Sequence, residues 1–264
     1  MTKNYLLHSL RHEMEQPIRS FLQTKKEEIC LDDYLGAEVQ ITHTGRKFCI
    51  SCGKYIRKTY ASGYCYPCFT TTANNDICFV RPERCHFEHG TCREPSFGES
   101  YCMQPHIVYL ALTSGVKVGI TRKGQEMNRW LSQGAISAIP ILEVPTRKLA
   151  GMIEHHLSEN FADKTNWRKM LKNEGNDLDL LWERERAFAY VPDWAKNYLL
   201  LDEEPRHFHY TGQVSTDKIV SHNLTKEPVV TGTILGTKGQ YLILDSGVLQ
   251  VRSHAGYEIS WRIA

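Results

Sequence analysis

The sequence predicts an α+β protein made of a cysteine-rich zinc-ribbon region, a small mixed sheet with helices, and a C-terminal β-rich, barrel-like module. Three observations support this prediction. Eight of the nine cysteines lie between Cys49 and Cys102. Two strand-like apolar runs within residues 106–175 are followed by helical patterns. Short β-like runs within residues 229–261 are separated by glycines, which is typical of a small barrel or sandwich.

Composition divides the chain into four segments. The 264 residues are 41 % hydrophobic and 23 % charged, which is ordinary for a globular protein. No run of about 18 apolar residues is present, and the first residues lack the apolar stretch of a signal peptide. We therefore expect a cytoplasmic protein that does not bind membranes. The predicted segments are an N-terminal segment (1–46), a zinc-binding region (47–105), a sheet-and-helix domain (106–175), and a helical linker with the β-rich module (176–264).

Two Cys-x-x-Cys pairs form the clearest motif. Cys49 and Cys52 are separated from Cys65 and Cys68 by twelve residues, and Gly53 permits a sharp turn after the first pair. Two such pairs supply the four thiolates of a tetrahedral zinc site. The alternative is two unrelated pairs of buried thiols.

A second set of cysteines has irregular spacing. It consists of Cys78, Cys85, Cys92 and Cys102, with His86, His89 and His106 as competing ligands. We predict that it holds a second zinc ion, and that both ions are structural because four thiolates leave no open position for substrate. The alternative is one zinc ion plus free cysteines. Cys30 is interpreted as a core thiol.

Net charge does not indicate a partner. The formal charge of +2 becomes about −2 once two four-thiolate sites, each about −2, are counted. Local charge is more informative, because the stretch from Thr44 to Asn75 has no acidic residue and interleaves cations with tyrosines. Such a surface suits a nucleic-acid backbone and exposed bases. The alternative is that the cations offset thiolate charge and the tyrosines pack the ribbon. The predicted nucleic-acid contacts are Lys54, Arg57, Lys58, Arg122 and Lys123.

The third segment begins with a predicted β-hairpin. Residues 107–112 and 116–120 are strand-like, and Ser114-Gly115 is a turn signal between them. Helices are predicted near 127–131, over 146–161, and near 167–171, and further helices over 178–188 and 193–200. The predicted buried face of the 146–161 helix is Leu149, Met152, Ile153, His156 and Leu157.

At this hairpin the chain resembles the GIY-YIG nuclease superfamily. Ile107-Val108-Tyr109 stands where that motif has Gly-Ile-Tyr, and Lys117-Val118-Gly119 stands where it has Tyr-Ile-Gly. Arg129 matches the arginine of the first helix, and Glu154 matches the metal-binding glutamate of a later helix. The whole chain also resembles an uncharacterised bacterial family that places such a segment after a cysteine-rich zinc region. That second resemblance includes Gly90-Thr91-Cys92-Arg93-Glu94, Lys117-Val118-Gly119-Ile120-Thr121-Arg122, Thr165-Asn166-Trp167-Arg168 and Lys238-Gly239-Gln240-Tyr241-Leu242.

The resemblance implies a catalytic site of Tyr109, Lys117, Arg129 and Glu154. Glu154 would hold one Mg²⁺ or Mn²⁺ ion, Arg129 would contact the scissile phosphate, and the motif tyrosines would position the attacking water. The residue types fit this chemistry independently. Magnesium prefers oxygen ligands, and the planar fork of arginine matches phosphate oxygens. A carboxylate on a stripe with Ala150 and Leu157 needs a polar partner, and a metal ion would be one.

Two residues depart from the motif, because Lys117 replaces its second tyrosine and Ile107 its first glycine. A lysine accepts a proton at neutral pH only if its pKa falls by about 3 units from about 10.4. Lys117 could instead bind phosphate as a cation. The alternatives for the other residues are a strand tyrosine, a surface cation, and a glutamate paired with Arg147 or Lys148.

We therefore predict a zinc-containing protein that processes nucleic acid, DNA or RNA, by metal-dependent phosphodiester hydrolysis. One alternative is a DNA- or RNA-binding zinc protein without catalysis. The other is a zinc-stabilised scaffold that binds another protein. The sequence does not determine an oligomeric state.

Overall fold

A computed structural model describes residues 3–174, 178–212, 214 and 218–263 of the chain. It confirms the predicted α+β class. The strands are β1 (Asn4–Glu13), β2 (Arg19–Thr24), β3 (Glu28–Cys30), β4 (Glu38–Phe48), β5 (Tyr55–Ile56), β6 (His106–Leu112), β7 (Val116–Arg122), β8 (Ser137–Val144), β9 (Arg206–His207), β10 (Ser221–His222), β11 (Val229–Lys238), β12 (Tyr241–Leu244), β13 (Gly247–Gln250) and β14 (Tyr257–Ile263). The α-helices are α1 (Tyr66–Thr71), α2 (Ile77–Val80), α3 (Pro95–Phe97), α4 (Glu126–Ser132), α5 (Arg147–Leu157), α6 (Trp167–Leu171) and α7 (Leu180–Tyr190).

Short helical turns connect these elements. They are 3₁₀ turns at Asp32–Tyr34, Ala73–Asn75, Pro82–Arg84, Phe87–His89, Asp193–Tyr198 and Val251–His254, and a π-helical turn at Gly98–Cys102. Contacts divide the chain into two compact units. The first combines Met1–Thr70 with His209–Ala264, and the second is Thr71–Phe208. Among the described residues, no helix has both the length and the apolar character needed to cross a bilayer.

The first unit is built on a large sheet. Its strand order is β10-β13-β12-β11-β4-β14-β1-β2-β3, and β5 pairs with β4. The central strand β4 pairs antiparallel with both β11 and β14, so Ile41 lies opposite Val230 on one side and Trp261 on the other. Alternate residues at the start of β4 point into the core, as the two-residue period of a strand requires. The C-terminal segment is thus β-rich, as predicted. The predicted barrel-like arrangement is not found, because the described strands form no closed barrel.

The second unit contains a four-stranded sheet of order β7-β6-β8-β9. The predicted hairpin of β6 and β7 is confirmed, and β6 is buried at every position. Strand β8 was not predicted. It contains Pro140, which lies opposite Tyr109 where the register between β6 and β8 shifts. A proline cannot donate a ladder hydrogen bond, so it is tolerated at such an irregularity.

The helices of this unit pack on the sheet. Helices α4, α5 and α6 lie in the predicted helical regions, but α5 ends at Leu157, before the predicted end at residue 161. Thr146 caps α5 by accepting a hydrogen bond from the Leu149 N–H at 3.3 Å. The prediction of the buried face of α5 was partly wrong, because Met152 and His156 are exposed. The residues of α5 in the apolar core are Ala150, Ile153 and Leu157, with Leu149 packed at its edge. The sheet supplies the other side of that core, so α5 is held against β6 and β7.

Candidate metal centres and a convergent polar site

The first cysteine group lies in the first unit. The sulfurs of Cys49, Cys52, Cys65 and Cys68 all lie within 4.8 Å of one another. Local backbone geometry creates this arrangement. The N–H of Gly53 donates to the Cys49 carbonyl at 2.9 Å, and Gly53 has a φ of +72°, which favours glycine. The sequence-predicted four-cysteine group therefore exists as a spatial cluster.

The electrostatics of this cluster suit a cation. Burial raises the pKa of Cys49, but N–H groups of Cys52, Cys65 and Ser51 outweigh burial and lower it to about 6. One of these is the Cys65 N–H, which donates to the Cys49 sulfur at 3.2 Å. In contrast, the neighbouring Cys65 thiol is the main cause that raises the pKa of Cys68 to about 12. Four sulfurs this close cannot all be thiolates without a compensating charge. The group can hold a metal ion such as zinc.

The surface around this group carries both cations and tyrosines. Lys54, Arg57 and Lys58 are exposed. Two tyrosines are also exposed, Tyr55 to 58 % and Tyr66 to 59 %. Tyr60, by contrast, stacks on Phe69 with ring centroids 5.7 Å apart and so helps to pack the segment that holds the four cysteines. Packing therefore accounts for part of the aromatic set, whereas Tyr55 and Tyr66 stay exposed.

The second cysteine set lies in the second unit. Cys78, Cys85, Cys92 and Cys102 are all among the residues that line one cavity of about 10 Å³. Burial raises the pKa of Cys102, and the nearby sulfurs of Cys85 and Cys92 raise it further. Burial also raises the pKa of Cys78 to about 12, with Asp76 and Cys85 as the next causes. The fold thus places the irregularly spaced cysteines around one cavity, but among the described residues their four sulfurs do not form a group within 4.8 Å of one another.

Histidine and aspartate compete for this second position. Cys78 instead belongs to a group with Asp76 and His86, whose possible ligand atoms lie within 4.8 Å of one another. Asp76 already has a cationic partner, because Arg93 Nε lies 2.7 Å from one of its oxygens. His89 is exposed. His106 is buried, its Nδ1 lies 2.7 Å from the Gln104 carbonyl, and burial lowers its pKa to about 4.

Cys30 lies outside both cysteine groups. It is half-buried in the first unit and accepts a hydrogen bond from Arg19 Nη2 at 3.0 Å. The hydrogen bond from Arg19 gives the Cys30 thiol a polar partner, so no metal ion is needed to account for its position.

A separate polar site lies at the β6–β7 hairpin. It combines Tyr109 on β6, Lys117 on β7, Arg129 on α4 and Glu154 on α5, and Arg129 and Glu154 each interact electrostatically with the other three. Tyr109 is completely buried, Lys117 is 6 % exposed, and Arg129 is exposed. Four residues from four separate elements therefore converge at one place.

Gln133 joins two of these residues. With its amide oxygen towards Arg129, it accepts from Nε at 3.0 Å and from Nη2 at 3.1 Å, and its amide nitrogen donates to the Tyr109 hydroxyl at 2.9 Å. Gln133 stands four residues after Arg129, one helical turn further on. Sequence analysis did not identify Gln133 as a site residue, although this spacing was the available signal. The amide holds the guanidinium in a fixed orientation.

Burial shifts both titratable partners towards neutral pH. Burial and, to a smaller extent, the charge of Arg129 lower the pKa of Lys117 to about 8, against the opposing charges of Glu154 and Asp163. Burial raises the pKa of Glu154 to about 7, although Arg129 and Lys117 oppose the rise. At neutral pH, Lys117 is thus mostly protonated and Glu154 is close to half ionised. Asp163, which sequence analysis missed, follows Ala162, whose carbonyl accepts from the Val118 N–H at 2.9 Å.

The simpler explanation for Glu154, an ion pair on its own helix, does not fit the contacts. Lys148 pairs with Glu88 at 2.7 Å. Arg147 donates to the carbonyls of Cys78 and Phe79, both at 2.6 Å, although its charge still lowers the pKa of Glu154.

The two predicted phosphate contacts beside the hairpin have local partners. Lys123 pairs with Glu143 at 2.7 Å, and Arg122 stacks on the Tyr101 ring at 4.9 Å. Glu143 therefore offsets the charge of Lys123, whereas a ring contact, which Lys58 also makes with Tyr60 at 5.0 Å, leaves the charge of Arg122 in place.

Fold and site together define an α+β protein with a four-cysteine group that can hold a metal ion. The chain belongs to the DUF2797 family, described as proteins of unknown function, whose model matches residues 36–259. This span includes both cysteine groups and the convergent polar site. Comparisons with curated proteins and with solved structures find no match.

Proposed function

We propose that this protein is a divergent relative of the GIY-YIG nucleases that hydrolyses phosphodiester bonds in nucleic acid with Mg²⁺ or Mn²⁺. One observation carries the proposal. Tyr109, Lys117, Arg129 and Glu154 come from four elements, yet the arginine and the glutamate each act electrostatically on the other three residues. Perturbed titratable groups gathered in this way are typical of catalytic sites.

Glu154 is the residue that would hold the divalent ion. Its burial is not offset by a direct ion pair from Arg147 or Lys148, since both contact other groups. A half-buried carboxyl whose pKa is raised to about 7 gains charge compensation from a bound cation. The donor is an oxygen, as magnesium requires, so the residue fits the ion. When bound, such an ion supplies charge stabilisation to the phosphate in the transition state.

Arg129 is suited to the scissile phosphate. The residue is exposed to solvent, and its guanidinium is oriented by Gln133 at 3.0 and 3.1 Å. A preoriented donor stabilises developing negative charge without reorganising during the reaction. The Tyr109 hydroxyl also contacts this arginine. Because Tyr109 is fully buried, we propose that its role is to orient Arg129 and not to contact the water nucleophile directly.

Lys117 can act in either of two ways. With a pKa of about 8 it is mostly a cation at neutral pH, which suits phosphate binding. The same value leaves a minor neutral fraction that could accept a proton from water, as a general base does.

We also propose that zinc occupies both cysteine groups and has a structural role in each. The segment that holds the cysteines has few buried apolar residues, so a metal would supply the missing folding energy. The exposed cations and tyrosines around the first group would contact the phosphate backbone and the bases of the substrate.

The second candidate is a DNA- or RNA-binding protein without catalysis. It is favoured by the protonated state of Lys117 in the place of the motif tyrosine. Labelled single- and double-stranded DNA and RNA, incubated with zinc-loaded protein and added Mg²⁺, distinguish the two. Magnesium-dependent cleavage that Glu154→Gln removes supports the nuclease. Binding without cleavage supports the second candidate, and neither binding nor cleavage supports a protein-binding scaffold.

A further inference from the structure

One stripe of α5 carries three residues with different roles. Arg147, Gly151 and Glu154 are spaced at i, i+4 and i+7, so they lie on the same face of the helix. The first two contact the cysteine-rich segment that precedes β6, whereas Glu154 belongs to the polar site. Another face of the helix packs Ile153 and Leu157 into the apolar core. The cysteine-rich segment therefore contacts the very stripe that carries Glu154.

Arg147 makes the strongest of these contacts. It is 7 % exposed, and its two terminal nitrogens donate to the carbonyls of Cys78 and Phe79 at 2.6 Å each. Its guanidinium also lies 5.0 Å from the Phe79 ring and 5.9 Å from the Tyr101 ring. Charge-assisted bonds of this length, made by a buried planar group, fix both partners. Arg147 also lines the same small cavity as the four cysteines.

Gly151 brings the helix backbone close to the same segment. A Cβ at this position would lie 2.6 Å from the Glu83 backbone nitrogen and 2.6 Å from the Pro82 Cβ. The turn Pro82–Arg84 stands between Cys78 and Cys85 in the sequence, so a metal ion bound by both cysteines would hold the turn at both ends. A side chain at 151 would push α5 away from this turn.

We infer that a metal ion in the second cysteine group fixes α5 through Arg147, and that Arg147 is thereby a positioning residue for Glu154. The inference rests on the proposed function for the role of Glu154. A four-thiolate metal site carries net negative charge, which a buried guanidinium compensates. The carbonyls that accept from Arg147 belong to α2, in the segment that the metal would order. Loss of the metal would release these acceptors and leave α5 held by its apolar face alone.

The test uses the full chain and follows amide hydrogen exchange in α5, with α7 as an internal reference. Cys102→Ser should lower the zinc content by about one ion per chain and raise exchange in α5. Arg147→Gln should raise exchange in α5 while zinc content stays unchanged, and Arg147→Lys should restore part of the protection. Lys148→Ala is the matched control, because its exposed ion pair with Glu88 contributes little. Mn²⁺ affinity, measured by electron paramagnetic resonance, should fall about tenfold in Arg147→Gln, as for other outer residues that orient metal ligands.

Each outcome has one meaning. Unchanged α5 exchange in both Arg147→Gln and Cys102→Ser would overturn the inference. So would exchange that rises equally in α5 and α7, because that shows general destabilisation. If the wild-type protein binds no Mn²⁺, the proposed active site fails, while α5 exchange still decides whether Arg147 links the helix to the cysteine group.

Discussion

Tyr109 and Gly119 face each other across the β6–β7 hairpin, and the phenol ring occupies the space where a side chain at 119 would stand. A Cβ on Gly119 would lie 2.7 Å from both the Tyr109 hydroxyl and the adjoining ring carbon. The glycine is therefore required by the tyrosine, not by a turn. This pairing gives a packing reason for the tyrosine and the glycine, two of the residues at which the hairpin resembles the GIY-YIG motif, to occur together.

Gly119→Ala should displace the Tyr109 ring and lower the free energy of unfolding by about 1–3 kcal/mol, the usual effect of overpacking. Urea denaturation of the purified protein measures the change. The control is the same substitution in a Tyr109→Leu background, where the clash is relieved and the loss should be smaller. Strictly additive effects of the two substitutions would show that the ring does not occupy this space.

We predict about two zinc ions per chain, with all eight clustered cysteines as ligands. Elemental analysis of the purified protein measures the ratio. Cys49→Ser or Cys65→Ser should remove one ion and unfold the ribbon, because these thiolates have no substitute. Cys30→Ala, whose thiol contacts Arg19, should leave the zinc content unchanged. A ratio near one zinc ion per chain would contradict the second zinc site, and a ratio near zero would contradict both zinc sites.

Local patterns in the sequence were sufficient to predict the hairpin and the helices that follow it. The apolar runs of β6 and β7 are interrupted by Ser114-Gly115, and the Thr146 cap defines the start of α5. Strand β8 was missed because Pro140 interrupts its pattern, and its position is decided by pairing with β6. The exposure of Met152 and His156 likewise depends on which neighbours α5 meets, which helical spacing alone does not reveal.

Long-range pairing was also beyond the sequence. Ile41 pairs with Val230 and Trp261, which lie in strands near the other end of the chain, and no local sequence pattern predicts such partners. At the polar site the residue types were predictable, but two contributors were not. Gln133 gains its role from contacts with Tyr109 and Arg129, and Asp163 gains its role from lying near Lys117.

Binding of nucleic acid should be salt-sensitive and weakly specific, since cations and tyrosines contact phosphates and base faces rather than base edges. Replacing Arg57 and Lys58 with glutamate should weaken binding of a labelled oligonucleotide and reduce the salt slope by about 0.7–0.9 for each phosphate that the protein no longer neutralises. Lys123→Ala is the control, because Lys123 is paired with Glu143. A salt slope that responds to Lys123 but not to Arg57 and Lys58 would place the interface elsewhere.

The stability of the metal-free polar site should depend on pH through Glu154. Its pKa is raised from 4.5 to about 7, so between these values the folded state binds more protons than the unfolded state. The stabilisation by the protonated carboxyl is therefore lost as pH rises through this window. Without added divalent ions, wild-type Tm should fall relative to Glu154→Gln between about pH 5 and pH 8. Added Mg²⁺ should raise the wild-type Tm at the upper end of this range but not that of the variant. Parallel pH curves for the two proteins would contradict the burial of this carboxyl.

Catalysis should depend on a divalent ion and on two of the convergent residues. Cleavage should require Mg²⁺ or Mn²⁺ and stop in a chelator too mild to remove structural zinc. Glu154→Gln should abolish it with the fold intact, and Arg129→Ala should reduce the rate about 10²–10³-fold, as expected for one preoriented donor. Gel-based cleavage rates, with circular dichroism as the check on folding, measure both effects. Full activity in Glu154→Gln would show that Glu154 is not needed for catalysis.

The pH dependence of cleavage separates the two roles open to Lys117. If Lys117 binds phosphate as a cation, Lys117→Arg should keep part of the activity. At saturating Mg²⁺, which keeps Glu154 ionised, the pH profile should then stay flat until the Lys117 pKa of about 8 is approached, where the lysine loses its charge. If Lys117 is the general base, arginine should not replace it, because arginine stays protonated, and activity should rise with pH up to about 8. Rates measured on both proteins across this pKa decide between the two roles. Zinc-loaded wild-type protein that binds nucleic acid with Mg²⁺ present, yet never cleaves it, would instead mark the lysine in place of the motif tyrosine as the point where the chemistry was lost.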